Sequence, residues 1–249
     1  MKSVVLIILN IFLFAYCSFC QSAEQLLPSG NASICFVHIE TGSLFNSPQN
    51  INLLILDKAY LPGYSIDFAY HSSDLLKTSQ IAEDRNAVAA INGSFFDMNM
   101  GGSVTYSEKD DSVISRTRPS KLKWAVPASI INGALVLNKN HTLEIESANT
   151  EQFYESSKME TFVMISGPLL ISDSLAQKLP DMNFSNKRHP RTCVGITNES
   201  VIFVTIDGRS ELAEGMNLAE VQHACGPKLK ESSIYQVITQ AKGLWQMHC

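Results

Sequence analysis

Residues 201–209 read VIFVTIDGR, an apolar run of six residues that stops abruptly at an acid, a glycine and a base. A continuous apolar run of this length, rich in β-branched and aromatic side chains, predicts a strand buried within a sheet. Asp207 follows the strand directly, at a point where such scaffolds present functional groups. An Asp-Gly pair is also a common turn, so the pattern alone fits a functional carboxylate and an ordinary turn equally well.

Seven further strands are predicted from apolar runs that precede this stretch in the chain. They cover residues 34–39, 51–56, 87–91, 124–126, 134–137, 162–165 and 193–196. Helices are fewer and are predicted over residues 73–82, 151–158 and 218–224, the last preceded by Asn217 and containing Glu220 as a capping pair. This mixture predicts an α+β fold in one domain, with a mixed or antiparallel sheet core and flanking helices.

The beginning of the chain has the pattern of a secretory signal. Lys2 is followed by an apolar run over residues 4–16 and then by small side chains, so residues 1–20 are predicted to be a signal peptide that is removed before Gln21. A lipid anchor at Cys17 is the alternative. The apolar run is too short to span a bilayer, and no later segment is long enough. The sequence therefore predicts a secreted, periplasmic or cell-surface protein without a transmembrane segment in the mature chain.

The charge pattern limits the class of partner. The formal net charge is −5, and the one concentrated basic run is short, at residues 187–191. These features argue against binding to nucleic acid or to a membrane surface and favour a small molecule or glycan as the partner. The six histidines are scattered, so their spacing supports no metal site, and no motif implies a cofactor.

Four cysteines remain after removal of the predicted signal, at Cys35, Cys193, Cys225 and Cys249. In an oxidising compartment they allow three disulfide pairings, among which the sequence does not choose. Cys193 lies in an apolar run and fits a small buried thiol at least as well as a disulfide partner.

Two other segments combine a strand with polar residues. Residues 89–97 read AAINGSFFD, in which a strand leads into Asn92, Gly93 gives the backbone freedom to turn or to approach a ligand, and Asp97 follows. On pattern alone, Asn-Gly is an ordinary turn. Residues 188–196 read RHPRTCVGI, which places Arg191 at a strand entrance where its planar guanidinium suits a phosphate or carboxylate. The alternative is a solvated basic loop with a structural ion pair.

These segments occur together, and in the same order, in a known family. Asn92 to Phe96 match its asparagine-glycine-x-aromatic-phenylalanine element, and residues 166–170 match a serine-glycine-proline element. Arg191-Thr192 match an arginine-threonine pair before a strand, and residues 207–218 match a strand end Asp-Gly-Arg followed by a glycine-x-asparagine-leucine helix start. The chain thus resembles the phosphodiester glycosidase family over roughly residues 35–220.

The resemblance implies hydrolysis of sugar 1-phosphodiesters of the N-acetylglucosamine-1-phosphodiester type, at the bond between the anomeric carbon and oxygen. Arg191 would hold the phosphate, with Arg209 as a second cation. Asp207, with Asp97 as the next candidate, would activate water or stabilise the oxocarbenium-like centre. A phosphate monoester leaves readily, so little general-acid assistance is required.

The remaining candidate residues would bind the substrate. Asn92 and Thr192 would orient sugar hydroxyls by hydrogen bonds. Gly93 and Gly208 would let the backbone approach the substrate, beside Arg209. No metal ligand is predicted among them.

One family feature is missing from this chain. The family continues from its last helix into a strand that ends in an Asn-Leu-Asp-Gly-Gly-Gly-Ser loop, and no aspartate occurs here beyond Asp207. We therefore predict a phosphodiester glycosidase-like domain over residues 33–222 and a divergent tail over residues 223–249, whose reading frame is altered or truncated; a rebuilt site and an inactive relative are the alternatives. Because a second carboxylate is lost, the chain is expected to be weakly active or inactive.

A noncatalytic module that binds surface glycans is the competing function. Aromatic side chains could stack on sugar rings in such a module, although each also fits core or loop packing. The aromatic candidates are Tyr64, Phe68, Tyr70 and Tyr106.

Overall fold

The computed structural model describes residues 25–26, 34–59, 64–71, 74–226, 234–240 and 245–248. The predicted signal peptide, residues 1–20, and the predicted disulfide candidate Cys249 lie outside the described residues. Parts of the predicted tail, residues 227–233 and 241–244, lie outside them as well.

The described residues form sixteen strands, numbered in chain order. They are β1 Gln25–Leu26, β2 Ile34–Thr41, β3 Gln49–Asp57, β4 Ser65–Asp67, β5 Ala89–Ile91, β6 Ser107–Lys109, β7 Ser112–Ser115, β8 Gly133–Asn138, β9 Leu143–Ser147, β10 Glu160–Ser166, β11 Leu169–Ser172, β12 Leu175–Ala176, β13 Arg191–Thr197, β14 Ser200–Ile206, β15 Ile234–Gln240 and β16 Trp245–His248. The helices are α1 Thr78–Asp84, α2 Glu151–Ser157, α3 Asn183–Asn186 and α4 Leu218–Cys225, and a short 3₁₀ turn covers Leu44–Asn46.

The strands form three antiparallel sheets. The large sheet has the order β1-β2-β3-β14-β13-β15-β11-β12, the middle sheet has the order β7-β6-β10-β8-β9, and the small sheet has the order β4-β16-β5. The prediction of a single α+β domain with a sheet core is confirmed. The pairing is antiparallel throughout these sheets, and short connections join the hairpins β2–β3, β8–β9 and β13–β14.

The quoted stretch 201–209 contributes the strand at the centre of the large sheet. Residues Val201 and Phe203 of β14 pair with Leu56 and Leu54 of β3, and on its other side β14 pairs with β13 along its length. Alternate side chains of β14 enter two different cores, with Val201 and Phe203 on one face of the sheet and Val204 and Ile206 on the other. This is why its sequence is continuously apolar rather than alternating.

The two faces of the large sheet bury different partners. On one face Leu54, Val194 and Phe203 pack against Leu135 and Phe162 of the middle sheet, in a core that the small sheet extends. The other face packs beneath α4. There Ile51, Cys193, Val204 and Ile206 meet residues of the helix and the segment before it, including Met216, Leu218 and Val221. Each fully buried side chain of this size contributes about 1.5–3 kcal/mol to folding, so both faces stabilise the sheet.

Helix α4 begins as the sequence predicts. The side chain of Asn217 accepts a hydrogen bond from the Glu220 backbone at 2.8 Å, and the Glu220 carboxylate accepts one from the Asn217 backbone at 2.9 Å. This reciprocal capping box satisfies two of the amide groups that a helix start leaves without partners. The helix extends one residue further than predicted, to Cys225.

Three predictions of secondary structure differ from the structure. Trp124 to Val126 form part of a loop rather than a strand, because Trp124 has a left-handed backbone with φ of 67°. Helix α1 begins at Thr78, several residues after the predicted start at Ser73. Helix α3 is not among the helices predicted from the sequence. The other predicted strands lie within or overlap strands of the structure.

Cys193 and Cys225 are both buried and are thiols in this structure. Burial raises the pKa of the Cys225 thiol to about 12 and raises that of Cys193 as well. Both therefore stay protonated and inert at neutral pH. Among the described residues, no helix combines the length and the apolarity that a membrane crossing requires.

Candidate functional site

Antiparallel pairing brings the polar end of β14 beside the polar start of β13. Thr192 is the register partner of Thr205, and Arg191 is that of Ile206, so Asp207 emerges next to the entrance of β13. Strand β5 delivers the third segment to the same place, where the Thr192 hydroxyl donates a hydrogen bond of 2.8 Å to Oδ1 of Asn92. The three segments that stand out in the sequence therefore converge.

A cleft of about 730 Å³ opens at this junction. Five of the predicted site residues line it: Asn92, Arg191, Thr192, Asp207 and Arg209. Apolar side chains, which include Phe96, Met98, Trp124 and Phe184, form much of the remaining wall. A concave site that combines apolar walls with a few convergent polar groups is the usual form of a small-molecule site.

Arg191 is a buried cation at the inner wall of this cleft. Its side chain is 4% exposed, Nε donates to the Met216 carbonyl at 2.9 Å, and Nη2 donates to the carbonyls of Phe184 at 2.7 Å and Lys187 at 3.0 Å. The guanidinium also lies over the Phe184 ring, 4.7 Å from its centroid. Burial, assisted by the positive charge of Arg209, lowers the pKa of Arg191 to about 10, so it stays charged at neutral pH.

No carboxylate in the described part of the chain forms an ion pair with Arg191, and none of the described residues accepts a hydrogen bond from its Nη1. Carbonyl dipoles orient the guanidinium but do not neutralise its charge. A buried charge without a counter-ion is costly. An anion in the cleft would supply the missing charge.

Asp207 and Arg209 lie at the outer rim. Both side chains are exposed, and the Asp207 backbone amide donates to the Asn50 carbonyl at 2.9 Å, which fixes the exit of β14. Asp207 is the only acidic residue among the described residues that line the cleft. The carboxylate is therefore accessible both to water and to a ligand held against Arg191.

Gly208 does not line the cleft but shapes its rim. A Cβ atom at this position would lie 2.7 Å from the backbone nitrogen of Pro190, closer than packing allows. Only glycine permits residues 207–209 to pass this close to the entrance of β13. Gly208 therefore keeps the backbone of residues 207–209 close to Pro190, which precedes Arg191 in the chain.

Asp97 also lies outside the cleft lining. Its Oδ2 accepts a hydrogen bond of 2.6 Å from Arg118, and its Oδ1 accepts from the backbone amides of Asn99 and Met100 at 2.8 and 3.1 Å. The Arg118 hydrogen bond, followed by the one from Asn99, lowers the pKa of this carboxyl. Arg118 also donates to the Lys123 carbonyl at 2.9 Å. Asp97 thus ties a turn to the loop that carries Trp124.

Gly93 lines a second, largely apolar cavity of about 560 Å³. The chain segment that follows β5 separates this cavity from the cleft, and Asn92, Phe95, Phe96 and Met98 line both. Of the aromatic residues predicted for glycan binding, Phe68 and Tyr106 are buried in the core, at 4% and 0% exposure, while Tyr70 is half exposed.

Trp124, His189 and Thr205 are among the cleft residues that the sequence-based site lacks. The sequence analysis does not assign Trp124 to the site, because its apolar neighbours predict a strand there. In the structure Trp124 is 37% exposed and lines the cleft. His189 and Thr205 lie inside the quoted motifs without a distinguishing pattern. Burial, followed by the charges of Arg191 and Arg209, lowers the pKa of His189, so this imidazole is neutral at pH 7.

No metal centre accompanies the cleft in the described part of the chain. In residues 34–59, 64–71 and 74–226, no three histidine, cysteine, aspartate or glutamate side chains approach closely enough to hold a metal ion.

Comparison with protein families gives a match over residues 85–227 to the model described as phosphodiester glycosidase. Two solved structures share the fold. The auto-inhibited catalytic domain of zebrafish N-acetylglucosamine-1-phosphodiester alpha-N-acetylglucosaminidase superposes with a TM-score of 0.60 at 16% identity, over 84% of this chain and 70% of that one. A hypothetical protein from Synechocystis gives a TM-score of 0.55 at 12% identity, over 85% of this chain and 57% of that one. None of the curated proteins matches.

Proposed function

Because the chain belongs to the phosphodiester glycosidase family, we propose that its cleft binds a sugar 1-phosphodiester and hydrolyses it. The bond broken is that between the anomeric carbon and the phosphate oxygen. The sugar is of the N-acetylglucosamine type, after the activity that names the zebrafish enzyme. The matched residues, 85–227, include every side chain assigned below.

The buried charge of Arg191 is the observation that supports this proposal most strongly. A phosphodiester carries one negative charge and two accessible oxygens, which suit the edge of a planar guanidinium. Three carbonyls already fix the guanidinium, so little side-chain entropy is lost when the ligand binds. Arg209 at the rim adds a second positive charge.

Asp207 is the catalytic carboxylate in this proposal. It accepts a proton from water as the water oxygen bonds to the anomeric carbon, and the electron pair of the broken bond stays on the phosphate oxygen. The products are the free sugar and a phosphate monoester, and Asp207 returns its proton to solvent. A phosphate monoester leaves readily because the pKa of its second ionisation is about 6.

The rate is expected to be low, since glycosidases usually employ two carboxylates. Asp207 is the only acidic residue among the described residues lining the cleft. Loss of one catalytic acid or base commonly lowers the rate by about 10²–10⁴-fold.

Trp124 and Asn92 complete the proposed sugar site. An exposed indole face at the cleft wall offers a surface on which a sugar ring can stack. Asn92 Oδ1 already accepts a hydrogen bond from Thr192, so its amide hydrogens remain to donate to sugar oxygens.

Substitution of Asp207 tests the proposal. The substrate is N-acetylglucosamine 1-(methyl phosphate), called the methyl diester below. Asp207→Asn should lower its turnover by about 10²–10⁴-fold while binding is retained. Asp173→Asn is the matched control, because Asp173 is exposed in the β11–β12 turn and its left-handed backbone, φ of 49°, accepts asparagine.

Equal turnover by Asp207→Asn and the wild type would refute the role of Asp207. Binding of the methyl diester by the wild type without any turnover would instead support the noncatalytic glycan-binding function. Circular dichroism of each variant checks that the fold is intact.

We place this activity outside the cytosol, on the strength of the signal pattern at residues 1–20. N-terminal sequencing of the protein recovered from its native source should begin at Gln21. A mature chain that still begins at Met1 would contradict export by this route.

A further inference from the structure

A row of polar side chains crosses the large sheet and ends in the cleft. His38 of β2 is the register partner of Asn52 of β3, Asn52 is that of Thr205 of β14, and Thr205 is that of Thr192 of β13. Side chains directly opposite one another in antiparallel strands lie on the same face of the sheet. The neighbouring row on this face, which contains Leu54 and Phe203, is apolar. The polar row is thus distinct from the apolar core on the same face of the sheet.

Hydrogen bonds link His38, Asn52 and Thr205 across three strands. The His38 ring contacts Oε1 of Glu40 through Nε2 at 3.2 Å and Oδ1 of Asn52 through Nδ1 at 2.6 Å. Asn52 then donates through Nδ2 to Oγ1 of Thr205 at 3.3 Å. The two successive hydrogen bonds from His38 to Asn52 and from Asn52 to Thr205 therefore point toward the cleft.

The acceptors determine where the hydrogens lie. A carboxylate oxygen and an amide oxygen can only accept, so both nitrogens of the His38 ring must carry a hydrogen when both contacts are made. Loss of the proton facing Glu40, whose side chain is 76% exposed, leaves Nδ1–H bonded to Asn52. In either charge state the Asn52 amide keeps its orientation and donates to Thr205.

The charges around His38 agree with this arrangement. The hydrogen bond to Asn52 raises the pKa of His38 above 6.5, and the hydrogen bond to Glu40 raises it further. Burial opposes these effects slightly, and the negative charges of Glu40 and Asp207 add to them. These two carboxylates are the charged groups that act on His38 among the described residues.

Thr205 is left with one hydrogen to donate. Its oxygen accepts from Asn52, none of the described residues accepts its hydroxyl hydrogen, and the residue lines the cleft beside Thr192 and Asp207. A threonine hydroxyl that is already accepting a hydrogen bond donates more strongly to a second partner. An anionic oxygen in the cleft is a suitable partner.

We propose that His38 and Asn52 are positioning residues, which orient the Thr205 hydroxyl as a hydrogen-bond donor to the phosphodiester held in the cleft. This inference rests on the proposed function for the identity of the ligand. His38 does not touch the ligand and acts only through Asn52.

A double-mutant cycle on the affinity for the methyl diester tests the coupling. The diester keeps a single charge across neutral pH, so changes in affinity come from the protein. Thr205→Val, which replaces the hydroxyl with a methyl group, should weaken binding about 10-fold. Asn52→Leu should weaken it by a similar factor alone but have no further effect in the Thr205→Val background.

Variants of the histidine separate positioning from a structural role. His38→Leu should behave like Asn52→Leu, whereas His38→Asn, whose amide can donate from near the position of Nδ1, should restore most of the affinity. His141→Asn is the control, because His141 is exposed in the β8–β9 turn with a left-handed backbone, φ of 66°, that accepts asparagine. Additive effects of Asn52→Leu and Thr205→Val, or equal losses in His38→Leu and His38→Asn, would overturn the proposal.

A spectroscopic measurement distinguishes failure of this inference from failure of the proposed function. Nitrogen-15 spectra of His38 in the ligand-free protein should show the Nδ1–H tautomer above its pKa, and Asn52→Leu should abolish that preference. An Nε2–H tautomer in the wild type would overturn the positioning role, whether or not the methyl diester binds. If the Nδ1–H tautomer is present but the methyl diester does not bind, the ligand is not a phosphodiester. That result would overturn the proposed hydrogen bond from Thr205 to a phosphodiester.

Discussion

Two charged side chains, Arg191 and Asp97, have different surroundings in the structure. Arg191 is buried at the cleft with carbonyl partners and no described counter-ion, whereas the carboxylate of Asp97 is fully engaged by Arg118 and two backbone amides. A charge whose partners are complete is suited to holding structure, and one whose partners are incomplete is suited to binding. Residue type and motif position do not distinguish these cases.

The Asp97–Arg118 pair gives a pH-dependent prediction. The folded state lowers the pKa of Asp97 below 3.8, so its stabilising effect is fully present above that pH and is lost as the pH falls through the lower, folded-state pKa. Asp97→Asn should therefore lower the unfolding temperature at pH 7. The difference from the wild type should shrink steadily below pH ~4.

Thermal unfolding followed by circular dichroism between pH 2 and 7 measures this difference. Asp173→Asn, an exposed aspartate without such partners, should show no comparable change. A destabilisation by Asp97→Asn that is constant down to the lowest pH would mean that the ion pair is not its cause.

At the scale of elements, apolar runs predict the strands that are buried on both faces, such as β8, β13 and β14. The sequence does not predict β6 and β7, which read SEK and SVIS, because neither segment contains a long apolar run or a strict polar–apolar alternation. Ser107 contacts Ser115 at 2.6 Å, and the Tyr106 hydroxyl donates to the buried Glu108 carboxylate. Both contacts join residues that are close in sequence, but they involve polar side chains, which the apolar pattern typical of a strand does not report.

Only part of the candidate site could be predicted from the sequence. Asn92, Arg191, Thr192, Asp207 and Arg209 follow from motif order and do line one cleft. Trp124 reaches it from a loop whose position is set by the Asp97–Arg118–Lys123 contacts, a chain of tertiary interactions. The position of Trp124 in the cleft depends on where this loop is anchored, so the residues next to Trp124 in the sequence do not predict it.

The capping box of α4 gives an element-scale prediction. Asn217→Ala removes the side-chain acceptor for the Glu220 amide and should destabilise the protein by about 1 kcal/mol. Lys77→Ala is the matched control, since Lys77 occupies the N-cap of α1 without a side-chain capping bond. Urea unfolding measures both changes, and equal effects of the two substitutions would contradict the role of the cap.

At the scale of the whole molecule, the C-terminal strands complete the sheets. Strand β15 lies between β13 and β11, with Ile238 opposite both Val194 and Leu169. Thr192 is the register partner of Gln240, so the last residue of β15 lies at the end of the strands where the cleft opens. This is where the family resemblance expects the glycine-rich loop. The domain boundary at residue 222 and the altered frame of the tail stay predictions.

Proline substitution tests whether residues 234–240 occupy an interior strand. Ile238→Pro removes a backbone donor between two paired strands and should destabilise the protein by at least about 2 kcal/mol. Leu175→Pro in β12, at the edge of the large sheet, should be tolerated much better. Wild-type stability of Ile238→Pro in urea unfolding would show that this segment does not pair inside the sheet.

The central claim is that the cleft catalyses cleavage at the sugar carbon of a 1-phosphodiester. Hydrolysis of the methyl diester in water enriched in oxygen-18, followed by phosphorus-31 NMR, locates the broken bond directly, even at a low rate. Attack of water at the anomeric carbon leaves all the original oxygens on phosphorus, so the released methyl phosphate should carry no label. Methyl phosphate that contains oxygen-18 would show attack at phosphorus and would contradict the account.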